Sequence, residues 1–255
     1  MIAHIQAPAA IGGRITAPPP QSMAHRAVLS AALARGCSRV ENLEFSQDVD
    51  STLTAAARLG AQVERGEGWA RITGHGCVAC PDGPVDCCES GSTLRFLIPV
   101  FSLCGGRVEF SGRGRLLQRP MGVYETLFRA QGLEFDQSEG GLAIRGPLAA
   151  GDYTIPGDVS SQFISGLLFA VPLLEGDSTL TITPPFESRS YVELTLAALR
   201  DFGVQVNWAD ETRMKLLIPG GQCGHGRDYR VEGDYSQAAF FAVLGAVLGG
   251  VTIED

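Results

Sequence analysis

Residues 158–183 read DVSSQFISGLLFAVPLLEGDSTLTIT. Two serines and a glutamine open the stretch, an apolar run follows, and a glycine leads into an alternating segment. The polar start and the glycine after the run predict a capped helix, and the alternation predicts a strand. The run FISGLLFAVPLL carries no charge on any side. A helix without a polar face has to be covered on most sides. This segment therefore predicts an α/β fold with helices inside and sheets outside, the reverse of a barrel with a strand core.

Three other stretches repeat the pattern: PPPQSMAHRAVLSAALARGCSRVENL at 18–43, ESGSTLRFLIPVFSLCGGRVEFSG at 89–112 and DYSQAAFFAVLGAVLGGVTIED at 234–255. Their serines fall at Ser22, Ser92, Ser161 and Ser236, about 70 residues apart, which is longer than a solenoid period. The first three units continue into a second helix, at 48–63, 118–135 and 188–206, closed by Gly60, Gly132 and Gly203. Glycine after a helix accepts the left-handed conformation of that position. A strand, a turn and a further strand follow each time. The predicted unit is strand–helix–strand–helix–strand–strand. The fourth unit has one helix and one strand, so the chain reads as stopping inside a second domain, with activity in doubt. Residues 20–235 are expected to form a complete domain of three repeats. Residues 1–19 and 236–255 are expected to form part of another.

The bulk numbers fit this picture. A chain of 255 residues with 45% hydrophobic content can build one or two cored domains. A net charge of −8 offers no footprint for nucleic acid. The start, MIAHIQAPAAIGGRITA, lacks the basic and apolar regions of a signal peptide. No run has the length of a membrane span. The seven cysteines follow no framework, so reduced thiols in a cytoplasm are expected. Cys77 and Cys80 have the spacing of half a zinc site, but Cys87 and Cys88 are adjacent and unsuited to ligating one ion together. No histidine has a serine, cysteine or aspartate arranged as a triad.

The chemistry is expected at the helix starts. A serine there can simply cap free N–H groups. SSQ at 160–162 supplies more polar groups than one cap requires, and a helix N-terminus attracts anions. Arg26 and Arg95 stand one turn into their helices among apolar neighbours. Each calls for an anionic partner, which is either a structural carboxylate or a ligand. Arg119, before a proline at a further helix start, can point at the same ligand.

PPPQSMAHRAVL, SGSTLRFL, LQRPMG, GDVSSQFISGLLFAVPL, ESRSYVELTLAAL and VEGDYSQAAFF follow one another as the motifs of the 5-enolpyruvylshikimate-3-phosphate synthase family do. The chain resembles roughly the first 60% of a family member. The resemblance implies an inside-out α/β architecture of repeated units in two domains. It also implies transfer of the enolpyruvyl group of phosphoenolpyruvate to the 5-hydroxyl of shikimate 3-phosphate, with no metal or organic cofactor. By motif, Gln21, Ser22, Arg26, Ser160, Ser161, Gln162, Ser188 and Tyr191 resemble the shikimate 3-phosphate ligands. Gly91, Arg119 and Gln162 resemble the phosphoenolpyruvate ligands. Ser160, Ser161 and Ser188 would hold the phosphate.

Two departures stand out. Gln21 occupies the position of a family lysine that contacts both substrates. The family's proton-transfer carboxylates have no counterpart before Asp255, so no catalytic residue is assigned. Asp234 resembles an aspartate near the domain crossover and is expected to act as a hinge. Glu89 stands where many members carry asparagine. A non-catalytic shikimate-phosphate-binding remnant is the main alternative. UDP-N-acetylglucosamine enolpyruvyl transferase, which shares the fold, would show a Lys-Asn pair near the start and a cysteine in the loop before LQRPMG, and neither is present.

Overall fold

The computed structural model describes residue 4 and residues 12–138 and 140–255. The part of the expected second domain at residues 1–3 and 5–11 lies outside the described residues. The first elements are β1 (Gly13–Thr16), α1 (Gln21–Leu33), β2 (Arg35–Glu41), α2 (Gln47–Arg58), β3 (Gln62–Gly66) and β4 (Trp69–His75). The next unit comprises β5 (Val85–Asp86), α3 (Gly91–Ser102), β6 (Arg107–Ser111), α4 (Gly122–Ala130), β7 (Glu134–Ser138) and β8 (Gly141–Arg145). The third comprises β9 (Asp152–Pro156), α5 (Ser161–Ala170), β10 (Ser178–Thr183), α6 (Arg189–Asp201), β11 (Asn207–Trp208) and β12 (Lys215–Ile218). Then come β13 (Tyr229–Arg230), α7 (Tyr235–Leu248) and β14 (Val251–Glu254).

The three units build three four-stranded sheets with one topology: β13-β2-β4-β3, β5-β6-β8-β7 and β9-β10-β12-β11. In each sheet the first two strands are parallel and the rest antiparallel. Units two and three supply their own first strand. Unit one borrows its first strand from the far end of the body, where Tyr229 and Arg230 pair with Val40 and Glu41. The repeat order was readable in the sequence; a two-residue borrowed strand was not.

The helices divide into two classes for a reason visible in their composition. In α1, every residue from Met23 to Leu33 is buried, and α3 and α5 are covered almost as fully. These three form the interior. Each fully buried Leu or Phe contributes about 1.5–3 kcal/mol relative to an exposed one. Helices α2, α4 and α6 bury one face only, as with Tyr124 and Phe128 one turn apart on α4. Their closing glycines Gly60, Gly132 and Gly203 have φ of 100°, 70° and 85°, the left-handed conformation expected there.

Helix α7 has no buried residue, and Tyr235, Phe240, Val243, Val247 and Leu248 are exposed on it. It packs against β14, which pairs in parallel with β1. Among the described residues, no helix is long and apolar enough to cross a membrane.

The cysteines depart from expectation at one pair. Cys80 and Cys104 are joined in a disulfide, because the loop after β4 folds against the end of α3 and brings their Cα atoms to 5.2 Å. Cys37, Cys77, Cys87, Cys88 and Cys223 are free thiols.

Candidate active site

The repeated serines do not cap their helices as the spacing predicts. The N-cap of α1 is Pro20, without a side-chain bond, and Ser22 sits within the first turn. Ser90 caps α3 by accepting from the Thr93 N–H, and Asp234 caps α7 by accepting from Ser236 and Gln237. Ser160 caps α5, leaving Ser161 as the first helical residue. Ser188 is the N-cap of α6 but makes no side-chain cap bond. Short polar residues just before the helices α3, α5 and α7 take the capping role. Ser22, Ser92, Ser161 and Ser188 are thereby left to face elsewhere.

They face one cleft. A hollow of 260 Å³ is lined by Ser22, Arg26, Ser92, Phe96, Ser160, Ser161, Gln162, Ser188 and Tyr191. Residues from α1, α3, α5 and α6 converge there, and no carboxylate is among them. A larger hollow of 680 Å³ between α4 and β9 has no cation in its wall. Of these two hollows, only the first offers an anion a positive charge.

Arg26 forms its floor. It is buried, its Nε donates to Thr195 Oγ1 at 2.8 Å, and its Nη atoms donate to the Ser22 and Tyr191 carbonyls at 2.6 and 3.0 Å. The guanidinium also stacks on Phe96, 5.2 Å from the ring centre. All these acceptors are neutral, and no carboxylate pairs with Arg26 among the described residues. Burial draws its pKa down to about 10, with Tyr191 opposing the fall. Of the two partners expected for Arg26, a structural carboxylate or a ligand, the carboxylate is absent among the described residues, and the positive charge is left for the cleft.

A second cationic group adjoins the cleft at the start of α3. A side chain at Gly91 would lie 2.5 Å from Arg119 Nη1 and 3.3 Å from Arg95 Nη1. Glycine there lets two guanidinium groups close over a helix N-terminus, whose first N–H groups have no intrahelical acceptor. Arg95 Nη1 donates to Gln162 Oε1 at 2.6 Å, and Gln162 Nε2 donates to Ser92 Oγ at 2.9 Å. Burial, then the neighbouring Arg119, lower the pKa of Arg95, with Tyr124 opposing. Gln162 thus links the two groups. Gln21 is exposed at the head of α1 and is not part of the cleft wall. Glu89 lies against Gly114 in the loop leading to Arg119, also outside the cleft wall.

The crossing of α3 and α5 holds this geometry. Pro99 has no N–H, so the Arg95 carbonyl one turn earlier lacks its helical donor. The Tyr124 hydroxyl supplies the donor instead, at 2.8 Å, and shares its proton with the Phe163 carbonyl at 3.0 Å. Burial holds that phenol well above its usual pKa, so it stays a donor.

Sequence reasoning missed a buried polar chain behind the site. His25 Nδ1 meets Thr52 Oγ1 at 2.7 Å, Thr52 meets Thr93 at 2.7 Å, and Thr93 donates to the Ser90 hydroxyl at 2.7 Å. Four buried side chains tie α1 and α2 to the cap of α3. Adjacent His-Arg on a helix that is otherwise apolar was the available signal. Burial and the nearby Arg26 charge pull His25 down to about 4. An unfolded chain takes up that proton near pH 6.5, whereas the folded one resists until about 4. Stability from this residue is therefore complete above pH 6.5 and falls as the pH drops to 4, by about 3 kcal/mol in all. In denaturant titrations across that window, His25→Asn should flatten the decline. A slope identical to that of the unmodified protein would show that other groups carry it.

Known proteins share both the sequence and this geometry. The EPSP synthase (3-phosphoshikimate 1-carboxyvinyltransferase) family model matches residues 5–255. The chain is 41% identical to the 3-phosphoshikimate 1-carboxyvinyltransferase of Clostridium beijerinckii, covering 97% of this chain and 59% of the relative. It is 42% identical to that of Clostridium botulinum strain Eklund 17B, covering 97% and 58%. The chain thus spans under three-fifths of the length of these relatives. The solved EPSP synthase of Acinetobacter baumannii superposes with a TM-score of 0.82 at 29% identity, over 96% of this chain and 55% of that one. On sequence and on architecture alike, the chain belongs to the EPSP synthase family.

Proposed function

We propose that this chain serves transfer of the enolpyruvyl group from phosphoenolpyruvate to the 5-hydroxyl of shikimate 3-phosphate, in aromatic amino acid biosynthesis. The observation that carries the reading is the cleft in which Arg26, paired with no acid, faces Ser22, Ser160, Ser161, Ser188 and Tyr191. Hydroxyls at the starts of α5 and α6 suit the phosphate of shikimate 3-phosphate, because the helix N-termini add their positive ends. Gly91 and Arg119 suit phosphoenolpyruvate, with Gln162 between the two substrates. Arginine is fitted to phosphate by its fork of donors. Residues 20–235 act as the shikimate 3-phosphate-binding domain, and 1–19 with 236–255 belong to a second. A cytoplasmic setting rests on five free thiols among the seven cysteines, with the Cys80–Cys104 disulfide counting against it.

The cleft residues bind and orient. None of those lining it carries a carboxylate or imidazole that could move a proton. Exposed Gln21 at the lysine position favours a second reading, in which the chain binds shikimate 3-phosphate without turnover.

Calorimetry with shikimate 3-phosphate tests the first assignment. Ser160→Ala with Ser161→Ala should cost about 2–3 kcal/mol of binding, taking about 1 to 1.5 per hydrogen bond. Losing the Ser160 cap should also lower stability by about 1 kcal/mol. Unchanged affinity in the double variant rejects the phosphate site. Gln21→Lys should improve binding by about 0.5–2 kcal/mol, the difference between a neutral and a charge-assisted bond. No gain on that substitution, together with loss of binding in Arg26→Ala, would mean that the site has been rebuilt around Arg26.

A further inference from the structure

We infer that Arg95 is a positioning residue that sets the polarity of the site by fixing the amide of Gln162. The inference rests on the proposed anion-binding function and deepens it. A glutamine side chain offers an acceptor at one corner and donors at the other, and the two ends have nearly the same shape. Left alone, Gln162 can turn either end toward a ligand. A guanidinium has five donors and no acceptor. At 2.6 Å from Arg95 Nη1, the corner of Gln162 that faces Arg95 has to be the carbonyl oxygen. The amide nitrogen then points at Ser92 Oγ, 2.9 Å away. The Ser92 hydroxyl accepts that proton, so its own proton is turned outward. Donors follow one direction, from Arg95 through Gln162 to Ser92, and the Ser92 hydroxyl proton is left free to donate into the cleft. Each bond in such a chain polarises the next.

Arg95 is held for this task. Its guanidinium rests on Phe163, 5.1 Å from the ring centre, beside Gln162 on α5. Its carbonyl is anchored by Tyr124. Its Nε is buried with no acceptor among the described residues, so that atom is closed to a ligand. Arg119, by contrast, is exposed at the mouth of the site. The work of Arg95 passes through Gln162. Arg119 is placed to meet the ligand itself.

Two measurements test this. The first follows the Gln162 side-chain amide by NMR in the ligand-free protein, which requires no binding. Arg95→Met should shift or broaden its two NH₂ signals, whereas Arg95→Lys, which also offers only donors, should leave them near their original positions. The second is a double-mutant cycle on shikimate 3-phosphate affinity. Arg95→Met should weaken binding about tenfold, as losing a charge-assisted bond does. In a Gln162→Ala background the same change should add less than about twofold, because coupled residues are non-additive. A full tenfold loss in that background overturns the inference, since Arg95 would then act on the ligand directly. So does an unmoved Gln162 amide in Arg95→Met. So does a tenfold loss in Arg95→Lys while the amide signals stay in place. If the unmodified protein binds no shikimate 3-phosphate, the proposed function fails, and the NMR measurement still decides the role of Arg95.

Discussion

Arg26→Met is expected to weaken the proposed shikimate 3-phosphate binding about 100-fold and to leave the ligand-free protein melting no lower than before. The first half follows from charge. Removing a buried charge-assisted hydrogen bond from the floor of the cleft costs about 3 kcal/mol, or two decades of affinity. The second half follows from what Arg26 lacks. Its acceptors are the hydroxyls of Thr195 and Ser165 and the carbonyls of Ser22 and Tyr191, all neutral. Desolvating a cation without a counter-ion costs several kcal/mol, and removing the cation removes that cost. Thr195 and Ser165 are not orphaned, because they hydrogen-bond each other at 2.7 Å and Thr195 also donates to the Tyr191 carbonyl. Methionine keeps most of the packing against Phe96. Calorimetry and thermal unfolding on one preparation give both halves. A melting temperature lowered by more than about 6 °C, some 2 kcal/mol for a chain of this size, with affinity intact would make Arg26 a structural residue and reject the assignment.

Gly166→Ala has a large effect of the opposite kind. Alanine is normally the better helix residue by about 1 kcal/mol. Here its methyl group would sit well inside van der Waals distance of the Tyr124 hydroxyl, 2.5 Å from the Arg95 carbonyl and 3.1 Å from Pro99 Cγ. A backbone atom and a buried ring cannot step aside cheaply. Helices α3 and α5 have to separate, which breaks the Tyr124 bridge and moves Arg95 away from Gln162. Overpacking of this sort costs about 1–3 kcal/mol and occasionally more, and two rigid neighbours put this site at the top of the range. Net of the helix preference, a loss of about 2 kcal/mol in stability is expected, with weaker ligand binding beside it. Denaturant unfolding checks the figure. A variant as stable as the parent would mean that the crossing has slack.

The repeating architecture was legible because it rests on local signals. Apolar runs without a polar face identified α1, α3 and α5 as interior helices, and glycines at 60, 132 and 203 marked their partners' ends. The serines at 70-residue spacing were visible, yet capping falls to other residues. A cap is decided by the residue with extended backbone just before the helix, and that residue is Ser90 in α3 and Asp234 in α7. The convergence of Ser22, Arg26, Ser161 and Ser188 was implied by motif only; its geometry needed the fold. Three pairings could not be read from any single stretch, although adjacent His-Arg in α1 marked one end of the second. Arg95 meets Gln162 across 67 residues, His25 meets Thr52 across 27, and Cys80 joins Cys104 only because a loop turns back.

The borrowed strand β13 changes how such a chain must fold. In an open solenoid each repeat completes itself against its neighbour, and order can spread from any point. Here the first sheet stays one strand short until Tyr229 and Arg230 arrive, and Asn42 waits for the Val231 carbonyl 189 residues later. On a ribosome that interval is roughly 10–40 s. Throughout it, the edge of β2 stands open to the wrong partner. The closing pairing also spans nearly the whole body, so its entropy is repaid only at the end. Three similar units joined in a ring should therefore gain order together, and a nascent chain released before residue 230 would resemble a ring with its clasp undone.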